Sequence, residues 1–218
     1  MAENAGPAVI EYFYSIRSSF TYLGAARLNA LAARHGLTIR HAVMDLAALV
    51  ASYGETTAQR AYAGARVFES HPAREAYTRL EYRRWSRRLG IPIDEDPSNH
   101  YGARELPSGV VIACQRQGLD ANSVSHALLQ ALWRDDLDTA DPKVVAALLE
   151  DLNLGLDGGA LCEAAMTAPI QAELQANTEE AKARGLFGAP TYIYAGEPFF
   201  GQDRLDFLEE AIVAAAGR

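Results

Sequence analysis

The chain has few cysteines, and neither is placed for redox chemistry. Only Cys114 and Cys162 occur among 218 residues, and they do not form a C-x-x-C pair. Both lie in alanine-rich segments with helical character, where a cysteine usually packs as a small apolar side chain. Disulfide exchange needs an accessible thiolate. The sequence therefore disfavours a dithiol oxidoreductase.

Signals for membranes, export, nucleic acids and metals are also scarce. No apolar run approaches the roughly 20 residues that cross a bilayer, and the first residues, M-A-E-N-A-G-P, lack the apolar core of a signal peptide. A net charge of −8 disfavours nucleic acid as a partner. The five histidines have no metal-ligand spacing. We therefore expect a cytoplasmic protein that holds no metal and binds neither membrane nor nucleic acid.

The composition is otherwise that of an ordinary globular protein, with 49% hydrophobic and 22% charged residues. The β-rich runs at 9–14 and 37–44 flank a helical segment at 20–34, which predicts a β-α-β unit with a right-handed crossover. Residues 191–200 predict a hairpin that turns at Ala195-Gly196-Glu197, and a last helix is predicted over 202–216. The middle of the chain is predicted to be helical, over 60–70, 72–89, 108–117, 122–136, 142–153, 159–165 and 168–184.

Two polar turns stand out in this pattern. Ser18 and Ser19 precede the first helix, where a serine commonly caps the free backbone N–H groups. A hydroxyl at the same helix N-terminus can also stabilise a bound thiolate, although the residues alone favour the cap. Ala189-Pro190 precedes the hairpin, and a cis bond there would leave the backbone of Ala189 free to pair with an extended peptide ligand. An ordinary trans turn is the alternative.

These turns belong to longer motifs that resemble one family. Residues 18–24, S-S-F-T-Y-L-G, resemble the active-site turn of kappa-class glutathione transferases and 2-hydroxychromene-2-carboxylate isomerases. Residues 185–191, G-L-F-G-A-P-T, and 200–204, F-G-Q-D-R, resemble the proline-loop signature of the same family. Residues 85–92 and 177–181 match further family segments, so the resemblance covers nearly the whole chain in order. Ser19 stands where the family usually has proline, and Thr21 where it often has serine.

The resemblance implies an α/β fold of the DsbA and kappa type. In that fold, residues 1–45 and 185–218 form a thioredoxin-like domain, and residues 46–184 form a large all-α insertion domain. It also implies glutathione as the cofactor, with Ser18 as the catalytic residue that hydrogen-bonds the glutathione sulfur. Homodimers are common in the family, so a homodimer is possible here.

The resemblance further implies the residues that hold glutathione. Ala189 and Pro190 would present the peptide-binding backbone, while Gln202 and Asp203 would hold the γ-glutamyl end, although Asp203 is equally suited to cap the last helix. Arg74 would hold the glycine carboxylate in place of the family's lysine. Glu55 stands where the family has asparagine, so one family contact is expected to be lost or moved.

The substrate side is expected to include Phe20, Tyr77 and Asn99, with His100 as a candidate acid or base. For the tyrosines and phenylalanines of the insertion, among them Tyr62 and Phe68, packing in the helix core is the alternative. The implied activity is a glutathione-dependent isomerase that acts on an aromatic conjugated carboxylate by reversible thiolate addition. A kappa-like transferase or peroxidase, and a non-catalytic glutathione-binding protein, are the alternatives.

Overall fold

The computed structural model describes residues 9–53 and 72–217. A four-stranded sheet is formed by β1 (Val9–Tyr14), β2 (Thr38–Val43), β3 (Thr191–Tyr194) and β4 (Glu197–Phe200), in the order β2-β1-β3-β4. Strands β1 and β2 are parallel, and the other neighbours are antiparallel. In this register Tyr12 lies between His41 and Tyr192. The two ends of the sequence thus meet in one sheet, as the sequence predicted.

The helices of the described residues connect the strands and flank the sheet, and most of them lie between β2 and β3. They are α1 (Ser19–Arg34), α2 (Leu46–Ser52), α3 (Pro72–Leu89), α4 (Glu105–Arg116), α5 (Ala121–Trp133), α6 (Pro142–Asp151), α7 (Gly158–Ala165), α8 (Ala168–Ala183) and α9 (Leu205–Ala216). Short 3-10 helices occupy Ser98–Tyr101 and Gln202–Arg204. The predicted helix at 60–70, with Tyr62 and Phe68, and the predicted role of Glu55 lie outside the described residues.

Strand β1 is buried on both faces because helices cover the sheet on each side. Tyr12 belongs to the large buried cluster that includes Leu23 of α1. Phe13 points to the opposite face, where it packs with Leu49 of α2 and Ala181 of α8. Alternate residues of a strand point to opposite faces, so this one apolar run supports both layers.

The helices between β2 and β3 share the core of the sheet. The cluster around Tyr12 continues without a break to Leu128 of α5 and Leu149 of α6. Polar contacts join the same elements, since the Tyr14 hydroxyl lies 2.7 Å from Oγ of Ser125 in α5. The helices between β2 and β3 are thus joined to the sheet by both apolar and polar contacts.

Several helix starts follow side-chain capping, and the starts of α1, α4, α5, α7 and α9 differ from the predicted ones by one to three residues. Helix α5 begins at Ala121, because Asp120 accepts the Ser123 N–H at 3.0 Å, one residue earlier than the predicted start. The predicted last helix is divided: the Arg204 N–H bonds the Gly201 carbonyl at 3.0 Å in a 3-10 turn, and the α-helix follows. Among the described helices, none has both the length and the apolar character needed to span a membrane.

Candidate functional site

Ser18 caps α1 and also faces the proline loop from the other end of the chain. Its Oγ accepts the Thr21 N–H at 3.2 Å and donates to the Ala189 carbonyl oxygen at 3.3 Å. The side chain is largely shielded, with Ser18 only 7% exposed. The capping and functional interpretations of this serine therefore do not compete, because one hydroxyl accepts from the helix and donates across the site.

The Ala189–Pro190 bond is cis. The Pro190 carbonyl accepts the Gly201 N–H at 2.8 Å, which ties this loop to the turn after β4. Within the part of the chain that the structure describes, the Ala189 N–H has no hydrogen-bond partner. An unpaired N–H on the residue whose carbonyl accepts from Ser18 is suited to pairing with a peptide-like ligand.

The turn after β4 begins at Gly201, whose φ of 103° is a backbone conformation that glycine adopts without strain. Gln202 is 2% exposed, and its Oε1 accepts from Arg27 at 3.1 Å. Its side chain therefore anchors this turn to Arg27 of α1. In the described structure, the N–H groups of Gln202 and Asp203 have no acceptor.

Asp203 does not cap a helix. Neither the 3-10 helix that contains it nor α9 has a side-chain cap. The Asp203 carboxylate lies 3.3 Å from the Arg204 guanidinium and remains 43% exposed. The structure thus removes the capping alternative and leaves a carboxylate beside two free N–H groups.

The remaining predicted residues differ in how close they lie to Ser18. Arg74 lies in α3, and its side chain is outside the described part of the structure. Phe20 is half-buried in the first turn of α1, two residues after Ser18. Tyr77 is 58% exposed on α3, with the Arg84 guanidinium over its ring at 5.9 Å. The sequence therefore located Phe20 near the serine, whereas Tyr77 lies on the outer surface of its helix.

Asn99 is hydrogen-bonded to Asp136 through both its side chain and its backbone. Its Nδ2 donates to the Asp136 carbonyl at 2.6 Å, and its N–H bonds the Asp136 carboxylate at 2.9 Å. The neighbouring His100 places Nε2 3.2 Å from the Arg17 carbonyl, and burial lowers the pKa of this histidine. The 98–101 segment therefore adjoins the serine turn, but the Asn99 amide is directed at Asp136.

Two contacts near Ser18 were not found from the sequence. Ser19 donates to the Tyr82 hydroxyl at 2.8 Å, which connects the first turn of α1 to α3. The Tyr82 ring stands edge-on to Phe20 at 5.7 Å and to Trp133 at 6.1 Å. The unusual serine at position 19 was the available signal, but its partner lies 63 residues away.

Arg17 is the second such contact. Its guanidinium donates to the carbonyls of Asn99 and His100 at 2.5 Å each and of Ala103 at 2.6 Å. No carboxylate of the described residues pairs with it, and burial lowers its pKa. The available signal was a lone cation at the end of an aromatic strand. Arg17 fixes the 99–103 segment beside Ser18.

Neither cysteine is activated. Cys114 is buried in α4, and burial raises its pKa to about 11. Cys162 is also buried, its Sγ faces the Pro142 carbonyl at 3.6 Å, and burial raises its pKa as well. These environments stabilise the neutral thiol, so the site contains a serine hydroxyl and no reactive sulfur of its own.

Comparison with known proteins agrees with the fold and the motifs. The DSBA-like thioredoxin domain matches residues 9–213. A 2-hydroxychromene-2-carboxylate isomerase from Pseudomonas putida is 26% identical over 206 residues, covering 94% of each chain. A second protein of that name, from Sphingobium xenophagum, is 27% identical over 213 residues, covering 94% of this chain and 97% of the relative.

Solved structures give the same likeness. A 2-hydroxychromene-2-carboxylate isomerase superposes with a TM-score of 0.75 at 25% identity, covering 95% of this chain and 96% of that one. The cytosolic disulfide reductase DsbM from Pseudomonas aeruginosa, solved with GSH, has a TM-score of 0.67 at 14% identity and covers 96% and 100%, a likeness of fold alone. The predicted resemblance and the predicted thioredoxin-like fold with a helical insertion are confirmed. The matched region contains all four strands of the described sheet and the helices between β2 and β3. The chain therefore belongs to the DSBA-like thioredoxin family.

Proposed function

We propose that this protein is a glutathione-dependent isomerase that acts on an aromatic conjugated carboxylate. The observation that carries the proposal is the 3.3 Å hydrogen bond from Ser18 Oγ to the carbonyl of Ala189, which brings the serine turn to the proline loop. The relatives named as isomerases, which match along almost the whole chain, support the reaction class.

The described residues fit glutathione at two places. The first is Ala189: its N–H is unpaired among the described residues, and its carbonyl accepts from the Ser18 hydroxyl, which a ligand could replace. An extended tripeptide pairs with backbone groups of this kind. The free N–H groups of Gln202 and Asp203 suit the γ-glutamyl carboxylate, and the Asp203 carboxylate suits its ammonium group. The Gly201–Pro190 hydrogen bond of 2.8 Å holds these two places together. Arg74 would hold the glycine carboxylate.

When bound, glutathione supplies a thiolate that adds reversibly to the substrate and is recovered. The chain supplies the conditions that keep the sulfur ionised. Ser18 already accepts the Thr21 N–H, so its own proton is free to be redirected from Ala189 to a bound sulfur. The N-terminus of α1 carries about half a positive charge, which stabilises a nearby anion by about 0.3–2 kcal/mol.

A titration of glutathione by calorimetry tests this proposal. The protein should bind glutathione, and Ser18→Ala should retain binding while the ultraviolet absorbance of the thiolate appears only at higher pH. Ser52→Ala provides the control, because the Ser52 hydroxyl donates to the Leu49 carbonyl within α2 at 2.6 Å. Absence of glutathione binding would reject the proposal.

Turnover separates isomerase from transferase. With 2-hydroxychromene-2-carboxylate as the probe and glutathione at a small fraction of its concentration, an isomerase converts the whole pool and leaves glutathione unchanged. Consumption of one glutathione per product would instead support the kappa-like transferase. Binding without either reaction would support a non-catalytic glutathione-binding protein.

A further inference from the structure

Tyr82 reaches the serine turn from α3, a helix of the insertion. Ser19 Oγ donates to its Oη at 2.8 Å, and Ser19 directly follows Ser18. The Tyr82 hydroxyl therefore stands beside the first turn of α1, where the family usually has an apolar proline at position 19. This chain has two additional hydroxyl groups next to the proposed thiol site.

The Tyr82 hydroxyl has one unused proton. A phenol both donates and accepts, and here the accepting role is taken by Ser19. Among the described residues, no acceptor receives the Tyr82 proton. A half-buried phenol with its donor unpaired costs stability unless a ligand or water completes it.

The ring of Tyr82 is held in place by other aromatic side chains. Phe20 meets it edge-on at 5.7 Å and Trp133 at 6.1 Å, and Trp133 is itself in contact with the His100 ring at 4.8 Å. Contacts of this kind restrict a ring to one orientation. The hydroxyl is consequently preorganised, and Phe20 offers an aromatic surface next to it.

The surroundings favour a negatively charged group. The backbone N–H groups of Ser19 and Phe20, the first of α1, have no partner in the described structure. Both N–H groups point out of the helix end, where an acceptor is favoured by the positive end of the helix dipole. A hydroxyl donor beside this helix end binds an anionic oxygen more strongly than a neutral one.

We propose that the Tyr82 hydroxyl, oriented by Ser19, donates a hydrogen bond to a negatively charged oxygen of the aromatic substrate. This inference rests on the proposed function, because it assigns the residue to the substrate of the same site. It makes Tyr82 a substrate-binding residue, with Ser19 as the positioning residue. Burial also raises the pKa of Tyr82, so the hydroxyl keeps its proton at neutral pH.

The binding of 4-nitrophenolate measures this donor without any turnover. Its absorbance reports the ionised form, and Tyr82→Phe keeps the ring while removing the hydroxyl. We expect Tyr82→Phe to bind the probe about tenfold to a hundredfold more weakly, the effect of one hydrogen bond to a charged group. Ser19→Ala removes only the hydrogen bond that orients the Tyr82 hydroxyl, so its affinity for the probe should fall less. Tyr194→Phe is the control, because this half-buried tyrosine pairs with Glu197 beside the hairpin turn, and the variant should bind as the unaltered protein does.

The outcomes distinguish this inference from the proposed function. If Tyr82→Phe binds 4-nitrophenolate as tightly as the unaltered protein, or if the unaltered protein does not bind it, the assignment of Tyr82 is wrong. Glutathione affinity, measured by calorimetry on the same variants, should stay the same in Tyr82→Phe. Absence of glutathione binding in the unaltered protein rejects the proposed function, whatever the probe shows.

Discussion

A β-carbon at Gly24 would lie 2.8 Å from Cβ of Gln202 and 2.9 Å from the Tyr192 hydroxyl oxygen. Helix α1 therefore contacts the turn after β4 through a residue without a side chain. This contact sets the separation between the helix that presents Ser18 and the turn that presents the free N–H groups of Gln202 and Asp203.

Gly24→Ala should displace that turn, since Gln202 is fixed by Arg27 and cannot move its backbone freely. We expect a loss of about 1–3 kcal/mol in the free energy of unfolding, the usual cost of overpacking a core. Glutathione affinity should fall about tenfold, because small displacements of positioned groups are costly. Urea denaturation and calorimetry measure the two effects.

Gly159→Ala is the control for this substitution. Among the described residues, its β-carbon would meet the Asp157 carboxylate alone, at 3.6 Å, an ordinary contact distance. Because alanine favours a helix over glycine, the variant should be unchanged or more stable by up to about 1 kcal/mol. Equal losses for both glycine variants would contradict the proposed contact between α1 and the turn.

Arg17→Met should loosen the 99–103 segment. The substitution removes the N–H donors that bind three carbonyls. In mutational series, each hydrogen bond to a charged group contributes about 1.5–3 kcal/mol to the free energy of unfolding. Part of that loss is offset because a half-buried cation is no longer desolvated. We expect a net loss of about 2 kcal/mol in the free energy of unfolding, and faster amide hydrogen exchange at His100 and Gly102.

Arg134→Met gives the comparison for Arg17. Within the described ranges, Arg134 pairs with the adjacent Asp135 alone, at 2.7 Å on the surface, with 40% of its side chain exposed. Pairs of this kind contribute less than about 1 kcal/mol. If Arg17→Met were as mild as Arg134→Met and left exchange in the segment unchanged, the anchoring role of Arg17 would be wrong.

The parts of the fold with regular apolar spacing were predicted well from the sequence. Strand β1 and helix α3 have the predicted bounds, since an aromatic β-branched run and a helical repeat ending before Pro92 are local signals. The pairing of Ser18 with Ala189 was expected only through the family resemblance. Spacing alone cannot bring together residues 171 positions apart.

What the sequence missed depends on tertiary contacts. The Ser19–Tyr82 bond joins a helix start to the middle of another helix, and no local pattern predicts such a meeting. Asn99 was expected on the substrate side, but an amide next to a turn is equally suited to local bonding, and the backbone of Asp136 provides that partner. The position of a side chain within the correct segment was thus harder to predict than the segment.

Acidification below the ordinary histidine pKa should destabilise the protein. His41 is buried, its Nδ1 accepts from the Tyr14 hydroxyl at 2.8 Å and its Nε2 donates to Asn122 at 2.7 Å, so the neutral ring satisfies both partners. Burial lowers its pKa from 6.5. Above that value the ring is neutral in both states, whereas below it only the unfolded chain takes up the proton. The free energy of unfolding therefore falls as the pH falls below 6.5.

Urea denaturation between about pH 7.5 and about pH 5 measures this dependence. One histidine contributes a slope of at most about 1.4 kcal/mol per pH unit. Burial lowers the pKa of His100 and His126 in the same direction, so part of the slope should remain in His41→Gln. A variant with the full slope of the unaltered protein would show that His41 is not among the groups responsible.

Ser18→Cys should convert the hydroxyl site into a reactive thiol site. The introduced sulfur would occupy the N-cap of α1 near the Ala189 carbonyl, and helix N-termini lower a thiol pKa from about 8.5 into the range of about 3.5–7.5. Cys114, whose pKa burial raises to about 11, and the buried Cys162 should not react.

At mildly acidic pH the Ser18→Cys variant should attack glutathione disulfide, forming one protein–glutathione disulfide and releasing one glutathione thiolate. Intact mass spectrometry should show a single adduct on this variant and none on the unaltered protein. Modification no faster than that of the urea-unfolded variant would mean that the N-terminus of α1 does not stabilise a sulfur anion at position 18, and the role given to Ser18 would fail with it.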